Sequence, residues 1–218
     1  MDLAFISKYA QLYAQAAKLT VILAAAGIAL SLVIGLVCSL IRYYRLPLLK
    51  SLARAYIEMS RNTPLMIQLF FLYYGLPRAG LRLESVTCAI IGLAFLGGGY
   101  MAEAFRGGLE AVSRVQVEAG LSVGLSRPQL VRYVILPQAF AVAVPAITAN
   151  TIFLMKETSV FSIIALADLV YVFKDLVREG HSNENNLLLV LFYLIIILPV
   201  SLFFAYLERR VRRAGFGA

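Results

Sequence analysis

The sequence predicts an all-α integral membrane protein with five transmembrane helices and a helical cytoplasmic loop between the third and the fourth. Three observations predict it. Of 218 residues, 61% are hydrophobic and 15% charged, and the mean hydropathy is +0.83, more apolar than a soluble core requires. Apolar runs near the bilayer-crossing length of about 20 residues recur along the chain. Lysine and arginine gather in alternate connections, as they do on the cytoplasmic face of membrane proteins. The ten-residue alternation of a transmembrane barrel is missing.

The first span covers residues 19–41 without a charge. It is too long for the hydrophobic part of a signal peptide, about 7 to 15 residues. The second, 54–76, joins a polar-tinged stretch to the apolar run Leu65 to Leu76, and the third covers 85–105. The fourth, 138–156, and the charge-free fifth, 187–207, complete one transmembrane domain over 1–218. Pro145 and Pro199 predict kinks in the last two spans. Cys38 and Cys88 sit inside apolar runs with no metal-ligand spacing, and His181 stands among polar loop residues, where a solvated side chain is expected. Neither a metal site nor a catalytic constellation is supported by these residues.

Orientation comes from charge. Arg42, Arg45, Lys50, Arg54 and Arg61 precede or enter span two; Arg106, Arg114, Arg127 and Arg132 lie between spans three and four; Arg209, Arg210, Arg212 and Arg213 come after span five. The other connections hold fewer. This bias predicts an external N-terminus and a cytoplasmic C-terminus. The net charge of +8 then suits anionic lipid headgroups, not nucleic acid.

The stretch "VEAGLSVGLSRPQLVRYVILP", Val117 to Pro137, is too polar to cross lipid and too patterned for a slack loop. Ser113 with Gln116 and Ser126 with Gln129 are two possible capping boxes, so short helices start near Arg114 and Arg127. Gly124 supplies a left-handed stop between them. Pro137 is expected to close the pair before span four. Val117, Leu121, Leu130, Val131 and Val134 form one apolar face, and Gly120 keeps a side thin enough for another backbone to approach. A surface helix resting on lipid is the plain reading of this pattern.

Two quoted motifs add a family resemblance. Glu118-Ala119-Gly120, three residues, Gly124, nine residues, then Val134-Ile135-Leu136-Pro137 resembles the "EAA" loop of permease subunits of ATP-binding-cassette importers, with Gly120 and Val134 as conservative departures. "RNTPLMIQLFFLYYGLP", Arg61 to Pro77, resembles a signature of the subfamily that imports polar amino acids, with Asn62 in place of glycine. The resemblance implies a coupling-helix loop over 107–137, docked on an ATPase through Glu118, Ala119, Gly120, Gly124, Arg127 and Pro137. It implies two ATP-binding-cassette subunits, a second identical or homologous permease subunit, an extracytoplasmic amino-acid-binding protein, and residence in the bacterial cytoplasmic (inner) membrane. The pattern G-x-x-x-x-G-K-[ST] is missing from the sequence, so ATP and Mg2+ are expected in the partner ATPase, with no cofactor on this chain.

Ionisable residues at membrane depth are candidates for the substrate pathway. Glu103, beside Gly97, Gly98 and Gly99, is one; pairing with Arg106 or Arg61 as a brace is the other reading. Lys156, Glu157, Thr158 and Ser159, with Asn150 and Thr151, offer both charge signs and neutral partners to a zwitterionic amino acid. Neighbours on a helix point about 100° apart, which favours Glu157 over Lys156; a salt bridge within the protein is the alternative. Asn62 and Thr63 before Pro64 either unwind the helix toward the pathway or cap the helical run from Leu65 onward. An ion channel, whose only filter candidate is the "GGGY" of Gly97 to Tyr100, and an ATP-independent amino-acid transporter are the competing classes.

Overall fold

The computed structural model describes residues 3–180 and 183–215, so His181 lies outside the described residues. The long first helix, α1 (Leu3–Tyr43), packs along α4 (Ser85–Glu110) in the most extensive contact of the fold. Small residues make that contact close. A side-chain carbon added at Gly27 meets Leu93 Cδ2 at 2.7 Å, and one at Gly35 meets the backbone nitrogen of Ala102 at 2.8 Å. Between them Ser31, fully buried, donates its hydroxyl to the Gly27 carbonyl at 2.8 Å. Helices in lipid associate through such close backbone approach.

Residues 54–76 are not one helix. The amphipathic α2 (Leu49–Asn62) buries Ala53, Ile57 and Ser60, spaced to share one face. It stops at Thr63, which is extended (φ −112°, ψ 123°) as a residue before proline prefers. Beyond Pro64 the chain resumes as α3 (Leu65–Phe70), a π-turn (Phe71–Gly75) and a 3-10 turn (Leu76–Ala79). By length and composition, four helical stretches among the described residues suffice to cross a membrane: Lys8–Tyr43, Ser85–Glu110, Arg127–Ile164 and Asn185–Val211. The broken α2–α3 segment falls outside that criterion.

The connection after α4 forms two short helices, α5 (Arg114–Ser122) and α6 (Arg127–Leu130). Here the expectation for Pro137 is corrected. Its ring does not end a helix; α6 passes through a π-turn (Val131–Ile135) straight into α7 (Leu136–Glu157). The proline lies just after the π-turn, and the wider hydrogen-bond spacing of that turn lets the helix continue past a residue with no N–H. Pro145 and Pro199 lie inside α7 and α9.

After α7, a 3-10 turn (Thr158–Ile164) leads to α8 (Leu169–Arg178) and α9 (Asn183–Gly215). The most apolar window of α9 is 6% buried against 61% for α4, so α4 is the hub and α9 the periphery. A polar staple holds that periphery. Tyr13 of α1 donates to the Asn185 side-chain oxygen, and the fully buried Asn185 donates to the Phe173 carbonyl at 2.8 Å.

Candidate functional site

The break between α2 and α3 opens a cleft of about 330 Å³ against α4 and α7. Arg61, Asn62 and Thr63 form one wall; Tyr100 of α4 and Phe153 and Glu157 of α7 face them. The Arg61 guanidinium lies over the Tyr100 ring, 5.2 Å from its centroid, where the ring face attracts a cation. Carboxylate, guanidinium, amide and hydroxyl thus surround one half-buried space with aromatic walls. Such a set offers a partner to each charged end of a zwitterion.

Of the sequence candidates, Glu157, Asn62 and Thr63 come together here. Lys156 turns the other way, into a groove between α7 and α9 lined by Tyr193 and Ile197. The cation in the cleft is instead Arg61, whose place in "RNTP" is the available sequence signal. Asn150 is engaged elsewhere, donating to the Tyr100 carbonyl at 3.1 Å. Thr158 is fully buried and donates to the Met155 carbonyl at 2.7 Å, and Ser159 is half-buried outside the cleft lining. Glu103 stands apart, paired with Arg42 of α1 and, at 2.5 Å, with Arg106, which also reaches Glu110. That chain of charges braces the C-terminal end of α1 to α4, near the end from which α4 runs into the α5–α6 connection.

The three glycines of α4 do not form a filter. Gly97 is buried under Ser31 and Leu154, Gly98 under Tyr56 and Ile34, and Gly99 under Ser60 and Arg61. Helices α1, α2 and α7 all pack onto that short stretch. The physical basis of a pore built on "GGGY" is absent.

In the α5–α6 connection, Ser113 caps α5 by accepting from the Val115 N–H at 3.3 Å. Gly124 turns left-handed at φ +84°, and the Leu125 N–H reaches back to the Gly120 carbonyl at 3.1 Å, closing the helix end. Gln129 accepts from the Ser126 N–H at 2.9 Å as the capping-box spacing predicts. Gly120 is buried, and a carbon added there meets Leu130 Cδ1 at 2.5 Å, so its thin side seats α6 and no outside backbone. Leu121 is 50% exposed, off the packed face assigned to it. Glu118, Ala119 and Arg127 are all exposed at the surface.

Comparison with known proteins agrees over nearly the whole chain. Residues 27–213 match the family model described as "binding-protein-dependent transport system inner membrane component". The probable glutamine ABC transporter permease protein GlnM of Bacillus subtilis (strain 168) is 33% identical over 197 residues, 89% of this chain and 91% of that one. The glutamine transport system permease protein GlnP of Escherichia coli (strain K12) is 34% identical over 201 residues, covering 91% and 92%. Among solved structures, an amino acid ABC transporter crystallised with histidines superposes with a TM-score of 0.88 at 30% identity, covering 96% of this chain and 99% of that one. The MetNI methionine ABC transporter, at 19% identity and a TM-score of 0.78 over 94% of this chain and 98% of its own, shares the fold.

Proposed function

We propose, from the premise that this chain belongs to the family of binding-protein-dependent transport system inner membrane components, that it is the membrane-spanning permease subunit of an ATP-driven importer of polar amino acids. One observation carries the reading: a capped helical hairpin, α5–α6, extends from a membrane-type helix bundle with Glu118, Ala119 and Arg127 exposed. A rigid hairpin running directly into α7 is a lever. Force applied at Glu118 passes to α6 through the packed contact of Gly120 with Leu130, and from Arg127 onward one continuous helical path carries it to Glu157.

In this reading two ATP-binding-cassette subunits hydrolyse ATP with Mg2+ and grip the hairpins of two permeases. An extracytoplasmic binding protein delivers the amino acid from the side of the N-terminus, and the C-terminus lies in the cytoplasm. The broken α2–α3 segment serves as the fifth span, its backbone facing the pathway as in other transporters. Glu157 receives the ammonium group and Arg61 the carboxylate, while Asn62 and Thr63 take neutral polar atoms. Nucleotide binding favours one arrangement of the permease pair and substrate the other, a coupling between distant sites.

Co-purification tests the lever. Glu118→Lys, or Gly124→Val, in the chain expressed with its ATPase is expected to abolish recovery of the ATPase while the permease still reaches the membrane. Uptake or conductance by this chain with no ATPase present would overturn the proposal.

A further inference from the structure

We propose that Gln68 is a positioning residue for the cleft: its side-chain amide replaces the hydrogen bonds lost where α2 breaks and so holds Asn62 and Thr63 against the ligand. In a continuous helix each carbonyl accepts from the N–H four residues on. Pro64 has no N–H to give the Ser60 carbonyl, and the Ile67 N–H bonds to the Pro64 carbonyl at 3.0 Å, leaving that of Thr63 open. Gln68 Nε2 donates to both vacated acceptors, to Ser60 at 3.1 Å and to Thr63 at 2.9 Å. One side chain therefore spans the break and ties its two ends together.

Burial makes this arrangement specific. Gln68 is 8% exposed, and its Oε1 has no hydrogen-bond partner among the described residues. Most buried polar side-chain atoms are hydrogen-bonded, so a buried amide with an orphan oxygen calls for a reason, and the two bonds of Nε2 across the break supply one. Turning the amide over would set Oε1 against two carbonyl oxygens and leave both donors where Oε1 now lies, buried and without a partner among the described residues. The residue does not line the ligand cleft. It acts through Thr63, whose extended backbone carries Asn62 and Thr63 to the cleft wall.

The ligand part of this proposal rests on the amino-acid permease reading above; the staple itself does not. The test uses the whole permease–ATPase complex with its binding protein in nanodiscs, with L-glutamine and L-arginine as probes. Gln68→Leu removes both donors and the orphan oxygen together. Gln68→Glu keeps the shape but, when ionised, cannot donate. Both variants are expected to raise hydrogen exchange across residues 61–68 about tenfold, with α1 and α4 protected as before. KM is expected to rise about tenfold with kcat changed less than about twofold.

Gln68→Glu carries a further signature: at low pH its protonated acid again donates, so KM and local exchange recover toward the unmodified values, which mere loss of packing would not produce. Should Gln68→Leu fail to assemble, the Gln68→Glu pH series decides the question. Unchanged exchange over 61–68 overturns the staple, and raised exchange with an unmoved KM overturns the positioning role. If the unmodified complex transports neither amino acid, the permease reading for these substrates fails, and the exchange arm still decides whether Gln68 holds the break.

Discussion

Lys156 and Glu157 are consecutive in sequence and face opposite sides of α7: Glu157 enters the cleft with Asn62 and Thr63, and Lys156 enters the groove against α9. The helix continues through both residues, so its turn of about 100° per residue separates them. If Glu157 meets the ligand ammonium, Glu157→Gln keeps the shape and removes the charge. A charge-assisted hydrogen bond contributes about 1.5–3 kcal/mol, so KM for amino-acid uptake is expected to rise about tenfold to a hundredfold. ATPase recovery with the complex should be unaffected. Uptake kinetics equal to those of the unmodified chain would remove Glu157 from the ligand site.

Gly124 and Gly107 separate conformational need from mere smallness. Neither would place a side-chain carbon within 4 Å of another atom, but Gly124 alone of the two is left-handed, at φ +84°. Gly124→Ala is expected to cost about 1–2 kcal/mol, the penalty of that region for an L residue. Gly107→Ala, inside α4, should be neutral or stabilise by up to about 1 kcal/mol. Thermal unfolding of the two purified variants checks the contrast, and equal midpoints would count against it.

Much of this architecture is legible in sequence because lipid constrains it so strictly. Unbroken apolar runs such as 19–41 dictate helices, since the backbone must satisfy itself in hydrocarbon. The α5–α6 hairpin is legible through Gly124 and the Ser126–Gln129 pair, whose local hydrogen bonds depend only on neighbours in the chain. Pro137 misleads because the π-turn just before it absorbs a proline that composition marks as a stop. The roles of Arg61 and Gln68 are not legible in the same way. Their partners, Tyr100 and the Ser60 carbonyl, are set by how separate turns fold back, which no hydrophobic period encodes. Glu103 is a related case: its ion pair with Arg42 joins residues 61 apart in sequence.

Gly35 offers a direct test of the α1–α4 contact. A methyl group there meets Met101 Cβ at 2.5 Å and the Ala102 backbone nitrogen at 2.8 Å, and backbone cannot swing aside. Gly35→Ala must therefore push the two helices apart, at a cost of about 1–3 kcal/mol or more. The expected result is a lower yield of folded permease and a lower unfolding midpoint. The same change at Gly107, open on that side, should produce neither.

Asp168 gives the fold a pH dependence. The residue is fully buried at the start of α8, between the membrane-type stretches, where its Oδ1 accepts from the Tyr171 N–H at 2.8 Å. Its Oδ2 has no hydrogen-bond partner among the described residues. Burial pushes the carboxyl pKa up to about 7, opposed by the Tyr171 N–H and the charge of Lys174. Between about pH 4 and 7 the folded state thus keeps a proton that the unfolded chain has already lost. The stabilisation is complete below about pH 4, declines as pH rises, and is gone above about pH 7. Asp168→Asn retains an oxygen for the Tyr171 N–H but has no proton to release. It should flatten the stability profile over that interval and, at pH 8, raise the unfolding midpoint by about 2–4 °C for each kcal/mol regained. Unfolding of both proteins tracked from pH 4.5 to 8 provides the check, because a slope surviving in Asp168→Asn would assign the titration to another group.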